Sequence, residues 1–235
     1  HHLDLTIIGP EVPLVLGITD LFTSAGLRCF GPSKAAAQLE GSKAFAKDFL
    51  ARHRIPTARY QSFTDPDAAE AYIREMGRYQ SFTDPDAADA YIREMGAPVV
   101  VKADGLAAGK GVILAQNEDE AIAAMRGMLS GTDFGKAGHR VVIEEFLRGE
   151  EASFIVMTDG EHILPFASSQ DHKARDNGDR GPNTGGMGAY SPAPVVTPEL
   201  HERIMTEIIE PTVRGMAAEG CRYVGFLYAG VMVTT

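Results

Sequence analysis

Two spacings of apolar residues alternate along the chain, one of period two and one near 3.6. Leu3 to Ile8 is a short apolar run that predicts a buried strand, closed by Gly9-Pro10-Glu11. Val15, Ile18, Leu21, Phe22 and Ala25 recur at helical spacing, and that segment ends at Gly26. Leu27 to Phe30 predicts a second strand, closed by Gly31-Pro32. Strand, helix and strand joined by short Gly-capped links predict an α/β unit with a parallel sheet. Ser33 to Leu39 and Ser42 to His53 predict two further helices, after which Pro56 forces extended chain.

A tandem repeat follows. Arg59 to Gly77 and Arg78 to Gly96 are 19 residues each and differ only at Glu70 against Asp89. Each copy reads as a strand-like start, an Asp-Pro helix opening and a helix ending in Gly. Two near-identical units cannot make a solenoid, which needs at least about three stacked repeats. One copy is expected to fill a native place and the other to be accommodated as an insertion.

Pro98 to Ala103 and Val112 to Gln116 predict a hairpin of two strands around the glycine-rich link Asp104 to Gly111. Glu118 to Leu129 predicts a helix. Arg140 to Glu145 predicts a strand with Ala152 to Thr158 as its neighbour, and His162 to Ala167 another strand. Ser168 to Ser191 is polar and rich in Gly, Asp and Asn, and reads as a long loop. Pro198 to Gly215 predicts one helix, and Tyr223 to Val233 a final strand.

Composition narrows the class. The 235 residues are 44% hydrophobic and carry 22 Lys+Arg against 32 Asp+Glu, a formal charge of −10. That content excludes a disordered chain, and the negative balance argues against nucleic acid as the main partner. The longest apolar run, Val224 to Val233, is too short to span a bilayer, so no membrane partner is expected. No charged-then-apolar leader opens the sequence, and two cysteines, Cys29 and Cys221, suit a reducing compartment; a cytoplasmic location is expected. With strands at both ends and no initial Met, both termini read as cuts within a longer protein.

Three stretches carry candidate chemistry. In Lys102 to Val112, three residues separate Gly105 from Gly109 and Gly111 follows Lys110, so the P-loop pattern fails. What remains is a glycine loop between strands, able to offer N–H groups to phosphate oxygens with Lys102 and Lys110 as cations. A lysine inside an apolar strand strengthens that reading, because a buried ammonium needs an anion. Val141 to Leu147 leaves a strand and runs into Gly149-Glu150-Glu151, where backbone groups can read an adenine edge and a carboxylate can hold ribose hydroxyls. Ser169 to Arg175 and Gly181 to Gly188 pack cations, carboxylates and small residues together, as a phosphorylated, zwitterionic substrate would require. Zinc, cysteine-nucleophile and serine-triad readings fail for want of partners.

These stretches in this order resemble the glycinamide ribonucleotide synthetases (phosphoribosylamine–glycine ligases), ATP-grasp enzymes of purine biosynthesis. The carriers are Gly9-Pro10-Glu11-Val12-Pro13-Leu14, Leu39-Glu40-Gly41-Ser42-Lys43, Lys102 to Val112, Ile143 to Ser153, Gln170-Asp171-His172-Lys173 and Gly181 to Pro194. The resemblance covers nearly the whole chain apart from one repeat copy. It implies an α/β architecture: an ATP-grasp core over 41–235, incomplete at its C-terminus, preceded over 1–40 by part of a Rossmann-like parallel-sheet domain. It further implies ATP-dependent ligation of glycine to 5-phosphoribosylamine through a glycyl phosphate, with ATP and Mg²⁺ or Mn²⁺ as cofactors.

By the same resemblance, Lys43 and Lys102 would contact ATP phosphates and Gly105, Gly109, Lys110 and Gly111 would cover them. Glu144, Glu145, Phe146 and Leu147 would form the adenine hinge, with Glu151 on the ribose and Asn183 reaching the nucleotide. Asp171, His172 and Lys173 would face the substrate. Ala174 stands where many relatives carry Arg, so Arg175 would take that role. Gly9, Pro10 and Glu11, with Thr184, Gly185, Gly186 and Met187, would bind substrate. The family's principal metal ligands are expected beyond Thr235, so the 235-residue chain by itself is expected to lack ligase activity. The rival readings are another ATP-grasp ligase or carboxylase, and a non-catalytic nucleotide-binding module.

Overall fold

The computed structural model describes residues 3–58, 80–95, 98–104, 111–129, 140–178 and 180–234, with backbone alone for 80–82, 91, 94, 95, 180, 182 and 183. The chain forms two compact units, His1–Ala37 with Leu147–Thr235, and Gln38–Phe146. This division follows compactness, whereas the 40/41 boundary expected from the sequence divides the chain by segment.

In the first unit, β1 (Thr6–Ile7) and β2 (Cys29–Phe30) pair in parallel, as the strand–helix–strand spacing predicts. But β1 is not the buried strand expected over Leu3 to Ile8: it is two residues long, and Leu3, Leu5 and Ile7 are exposed. The single helix expected over Val15 to Ala25 is two, α1 (Glu11–Leu16) and α2 (Ile18–Ser24). Gly17 separates them at φ 94°, a left-handed cap that glycine takes without strain.

The second unit begins with α3 (Gln38–Gly41), a single turn where the sequence predicts a helix from Ser33. α4 (Lys43–Arg52) starts at Ser42, whose hydroxyl accepts from the Phe45 N–H. The second repeat copy supplies β3 (Gln80–Phe82) and α5 (Pro85–Met95); the first copy lies outside the described residues. Then come β4 (Val99–Ala103), β5 (Val112–Ala115), α6 (Glu118–Leu129) and β6 (Val141–Glu145). The sheet order is β3-β6-β4-β5, antiparallel throughout, and β4 with β5 is the expected hairpin.

Strand alternation divides this sheet's faces. Val99, Val101, Ala103, Val141 and Ile143 join Ala88 and Ile92 of α5 and Ala121, Met125 and Met128 of α6 in one buried core. Burying each large side chain of that kind contributes roughly 1.5–3 kcal/mol. Val100, Lys102, Val142 and Glu144 are consequently on the opposite face, so Lys102 lies there for the same reason that Val101 lies in the core.

Back in the first unit, β7 (Gly149–Thr158) pairs with β8 (Ile163–Pro165) and with β11 (Gly225–Thr234), in the order β11-β7-β8. The expected pairing of Ala152–Thr158 with Arg140–Glu145 is therefore wrong. β6 pairs with β3 and β4, whereas β7 pairs with β11 along its length and with β8 over Val156–Thr158.

The expected loop from Ser168 to Ser191 is likewise a hairpin, β9 (Gln170–Asp176) against β10 (Arg180–Tyr190). Its glycines and charged residues lack strand propensity, and shifts of register along the pair accommodate them. The helix expected from Pro198 to Gly215 is α7 (Pro198–Ile204) and α8 (Glu210–Ala218), joined by a wide π-type turn over Met205–Ile209. Pro211, which has no N–H and crowds the carbonyl four residues back, accounts for the widening.

Candidate functional site

The second unit brings Lys102 and Lys47 onto one carboxylate, Glu144, with Lys43 nearby. Lys102 and Glu144 lie diagonally on adjacent strands, since Lys102 is paired with Val142 and Glu144 with Val100. Lys102 Nζ donates to Glu144 Oε2 at 2.6 Å. Lys43 and Lys47 are one turn apart on α4 and so share a helix face. Lys47 Nζ is 3.3 Å from Glu144 Oε1. The Glu144 side chain is only 6% exposed.

Electrostatics here are set by burial. Desolvation pushes the Glu144 carboxyl up, but Lys102 and Lys47 outweigh it and hold the group below the usual carboxylate range. Burial lowers Lys47, with Glu144 opposing. Burial and then Lys102 lower Lys43, against Asp104, Glu40 and Glu144. Burial and the charge of Lys102 both act against the Lys43 and Lys47 ammonium groups, and an added polyanion would relieve that repulsion.

The start of α4 is tied to the end of β4. Asp104 Oδ1 accepts from the Ala44 N–H (2.8 Å) and the Ser42 hydroxyl (3.2 Å), and the Asp104 carbonyl accepts from the Lys43 N–H (3.1 Å). A carboxylate at a helix N-terminus is favourable, and this one fixes Lys43 relative to the strand that carries Lys102. Gly111 accepts from the Ala103 N–H at 2.8 Å, closing the hairpin below its loop. Gly105, Gly109 and Lys110 lie outside the described residues.

The first unit presents a second cluster, on the hairpin. Asp171 and Lys173, two residues apart on β9, share a face, and Lys173 Nζ donates to Glu151 Oε1 of β7 at 2.7 Å, with Asp171 Oδ2 at 3.8 Å. Burial lowers the Lys173 ammonium, but the Glu151 hydrogen bond and charge outweigh it and raise the group above its ordinary value. These side chains are a third or more exposed. His172 lies on the other face with its ring beside Tyr190, whose hydroxyl donates to Gln170 Oε1. The Thr184 hydroxyl donates to the Lys173 carbonyl and accepts from the Gly186 N–H, while Met187 is exposed.

Not every expected residue joins these groups. Arg175 is paired with its exposed neighbour Asp176 at 2.8 Å and, among the described residues, meets neither Glu151 nor Asp171. Gly9 and Pro10 are exposed and lead into Glu11 at the start of α1, at the C-terminal end of β1. The backbone of Glu144 and Glu145 is laddered to β4, and Phe146 and Leu147 continue from it, half-buried. The side chain of Asn183 lies outside the described residues.

Sequence reasoning passed over Lys47, Asp104 and Tyr228. Lys47 was findable from its i+4 spacing to Lys43. Asp104, a carboxylate ending an apolar strand, meets α4 through a contact 60 residues apart that no local pattern reveals. The Tyr228 hydroxyl, 3.4 Å from Ser153 Oγ, reaches β7 across the β11 pairing. Among the described residues, no group of three His, Cys, Asp or Glu side chains gathers as a metal ion would require.

Comparison with known proteins shows the family. The family profile described as Phosphoribosylglycinamide synthetase, N domain, matches residues 1–40. The profile described as Phosphoribosylglycinamide synthetase, ATP-grasp (A) domain, matches 41–79 and 75–235, two overlapping pieces that meet at the repeat. Among curated relatives, the phosphoribosylamine–glycine ligase of Allochromatium vinosum is 66% identical over 233 residues, and that of Salmonella typhimurium 64%. Each alignment covers 99% of this chain and 50% of the relative, so the chain spans about half the length of the curated relatives it matches.

Among solved structures, phosphoribosylamine–glycine ligase of Thermotoga maritima aligns at TM-score 0.76 and 32% identity, covering 97% of this chain and 51% of that one. D-alanyl-alanine synthetase A of Vibrio cholerae aligns at TM-score 0.65 and 14% identity, over 99% of this chain and 64% of that one, a likeness of fold alone. The chain has the α/β fold of these proteins and belongs to the phosphoribosylglycinamide synthetase family, through its ATP-grasp domain.

Proposed function

We propose that the protein of which these residues form part ligates glycine to 5-phosphoribosylamine at the expense of ATP, giving glycinamide ribonucleotide, ADP and phosphate. Lys43 and Lys102 beside the buried Glu144 carry this reading, because two partly buried ammonium groups so placed suit a polyanion. Identity of 62–66% to relatives named phosphoribosylamine–glycine ligase supports the choice of substrates over those of other ATP-grasp enzymes.

In the first step a glycine carboxylate oxygen attacks the γ-phosphorus, and the bond to the bridging β–γ oxygen breaks, leaving ADP and glycyl phosphate. In the second, the amine of 5-phosphoribosylamine attacks the glycyl carbonyl, the C–O bond to phosphate breaks, and the amine gives up a proton. Phosphoryl transfer leaves a protein mainly positioning and charge neutralisation to supply. Lys102 and Lys43 answer that need toward phosphate oxygens. The Lys173 ammonium suits the glycine carboxylate and Asp171 the glycine ammonium, while the Thr184–Met187 backbone and Gly9–Glu11 serve the phosphoribosyl side. Glu144 to Leu147 are the adenine hinge, with Glu151 on the ribose.

ATP fits the lysine group. A divalent cation, Mg²⁺ or Mn²⁺, would neutralise phosphate charge when bound, but no ligand set for it occurs among the described residues, and no step above depends on one. We further infer a cytoplasmic enzyme acting on small molecules; the two cysteines are unbonded, and no described helix is long and apolar enough to cross a membrane. Phosphate release by the full-length protein tests the reaction. Release that requires ATP, glycine and 5-phosphoribosylamine together is expected. Release with another acceptor in place of 5-phosphoribosylamine would contradict it, and nucleotide binding without turnover would leave only a binding module.

A further inference from the structure

Lys47 has no role in the chemistry above, yet it is the most enclosed of the lysines around Glu144 whose exposure decides their tasks. Its side chain is 12% exposed, against 25% for Lys102. Its Nζ faces three acceptors: Thr57 Oγ1 at 2.8 Å, Glu144 Oε1 at 3.3 Å and the Ala58 carbonyl at 3.4 Å. An ammonium has three donors; two of Lys47's go to Thr57 and Ala58, and its charge meets Glu144. Lys102 makes one hydrogen bond among the described residues, to Glu144 Oε2, which leaves two donors for an anion.

The two lysines share one carboxylate, each on its own oxygen. Glu144 Oε1 is buried and accepts no hydrogen bond among the described residues; what it meets is the charge of Lys47. Without Lys47, no other ion pair among the described residues would fix that oxygen, and the carboxylate could turn about its last torsion. The whole negative charge of Glu144 would then fall to Lys102 and cancel it.

Building on the nucleotide reading above, we propose that Lys47 is a positioning residue for the triphosphate: through Glu144 it fixes where Lys102 points and keeps Lys102 net positive. Lys47 itself never touches nucleotide. Thr57 and Ala58, in the extended segment after α4, hold it in place.

Calorimetric titration with Mg-ATP and with adenosine tests this on wild type, K47M, K102M and the double variant, each first shown to melt cooperatively. K47M is expected to weaken Mg-ATP about tenfold and to leave adenosine unchanged. K102M weakens Mg-ATP at least as much, and the double variant binds no more weakly than K102M, since Lys47 acts only through Lys102. Equal losses for both ligands would mean a structural role and overturn the proposal, as would losses that add in the double variant, or a K47M that binds like wild type. T57V removes one anchor of Lys47 without breaking the ion pair; it gives the same pattern at smaller amplitude and decides the question if K47M does not fold. A wild type that binds neither ligand fails the nucleotide reading and this proposal together, whereas one that binds while K47M is unaffected fails this proposal alone.

Discussion

The protein has two clusters of lysine and carboxylate that look alike on paper and differ in burial. Around Glu144 the carboxylate is 6% exposed and serves two lysines. Around Lys173 the partners Glu151 and Asp171 are 39% and 33% exposed, and one lysine serves two carboxylates. Burial sets what each can do. The Glu144 group is a fixed, cation-rich lattice whose geometry the sheet and α4 impose. The Lys173 group sits on a hairpin open to water, where charges are screened and can exchange partners.

Removing one carboxylate from each should break the symmetry most visibly. Glu144→Gln leaves two buried ammonium groups without their counter-charge and should destabilise the protein by about 3–5 kcal/mol. Glu151→Gln should cost under about 1 kcal/mol. Denaturant midpoints of the two variants measure this, and similar losses would show that the clusters do not differ as described.

Next in size is the clamp that only the buried cluster has. Asp104→Ala strands the Ala44 N–H and the Ser42 hydroxyl and should cost about 1–3 kcal/mol. Ser42→Ala removes the cap alone and should cost about 1 kcal/mol, like Thr197→Ala at the start of α7, where the side chain accepts from the Leu200 N–H. If Asp104→Ala costs no more than Ser42→Ala, the clamp contributes nothing beyond the cap.

The clusters should also part company with pH. The Glu144 carboxyl is held below its unfolded value, so its contribution is present above that value, about 4.3, and is lost as pH falls through the lower folded value. The stability gap between wild type and Glu144→Gln should therefore persist at pH 5 and close only in stronger acid. The Lys173 ammonium is raised, so its contribution is present below the unfolded value, about 10.4, and is lost as pH rises through the still higher folded value. The gap between wild type and Lys173→Met should survive to that alkaline limit. A gap that closes near neutrality in either pair would contradict the assigned shifts.

The smallest effect concerns the repeat. Deleting residues 59–77 leaves one strand–helix copy and should shift stability by less than about 1 kcal/mol, since loop length enters only logarithmically. Loss of the cooperative melt would show that the extra copy is no mere insertion.

Much of this was legible in the sequence. The parallel pair of β1 and β2, the hairpin of β4 and β5, and α6 over Glu118–Leu129 follow from periodicity and glycine punctuation. Lys102 stood out because an ammonium inside a valine strand needs an explanation. What failed was what period cannot carry. The β9–β10 hairpin is hidden because its Gly, Asp and Asn residues read as loop, and strand pairing stabilises them in spite of that. The partners of β6 and β7 depend on which edges other strands already occupy. The Asp104–Ala44 and Lys47–Glu144 contacts join residues 60 and 97 positions apart (144 − 47), and only the folded sheet reveals them.

The central proposal is that Lys43 and Lys102 hold a nucleotide's phosphates. Thermal melting of wild type and K102M, with and without Mg-ATP, tests it most directly. A ligand at about 100 times its dissociation constant adds roughly 2.7 kcal/mol to the folded state. The account predicts a clear upward shift for wild type and a much smaller one for K102M at the same concentration. Equal shifts in the two proteins, or a cooperative melt that Mg-ATP does not move in wild type, would contradict it.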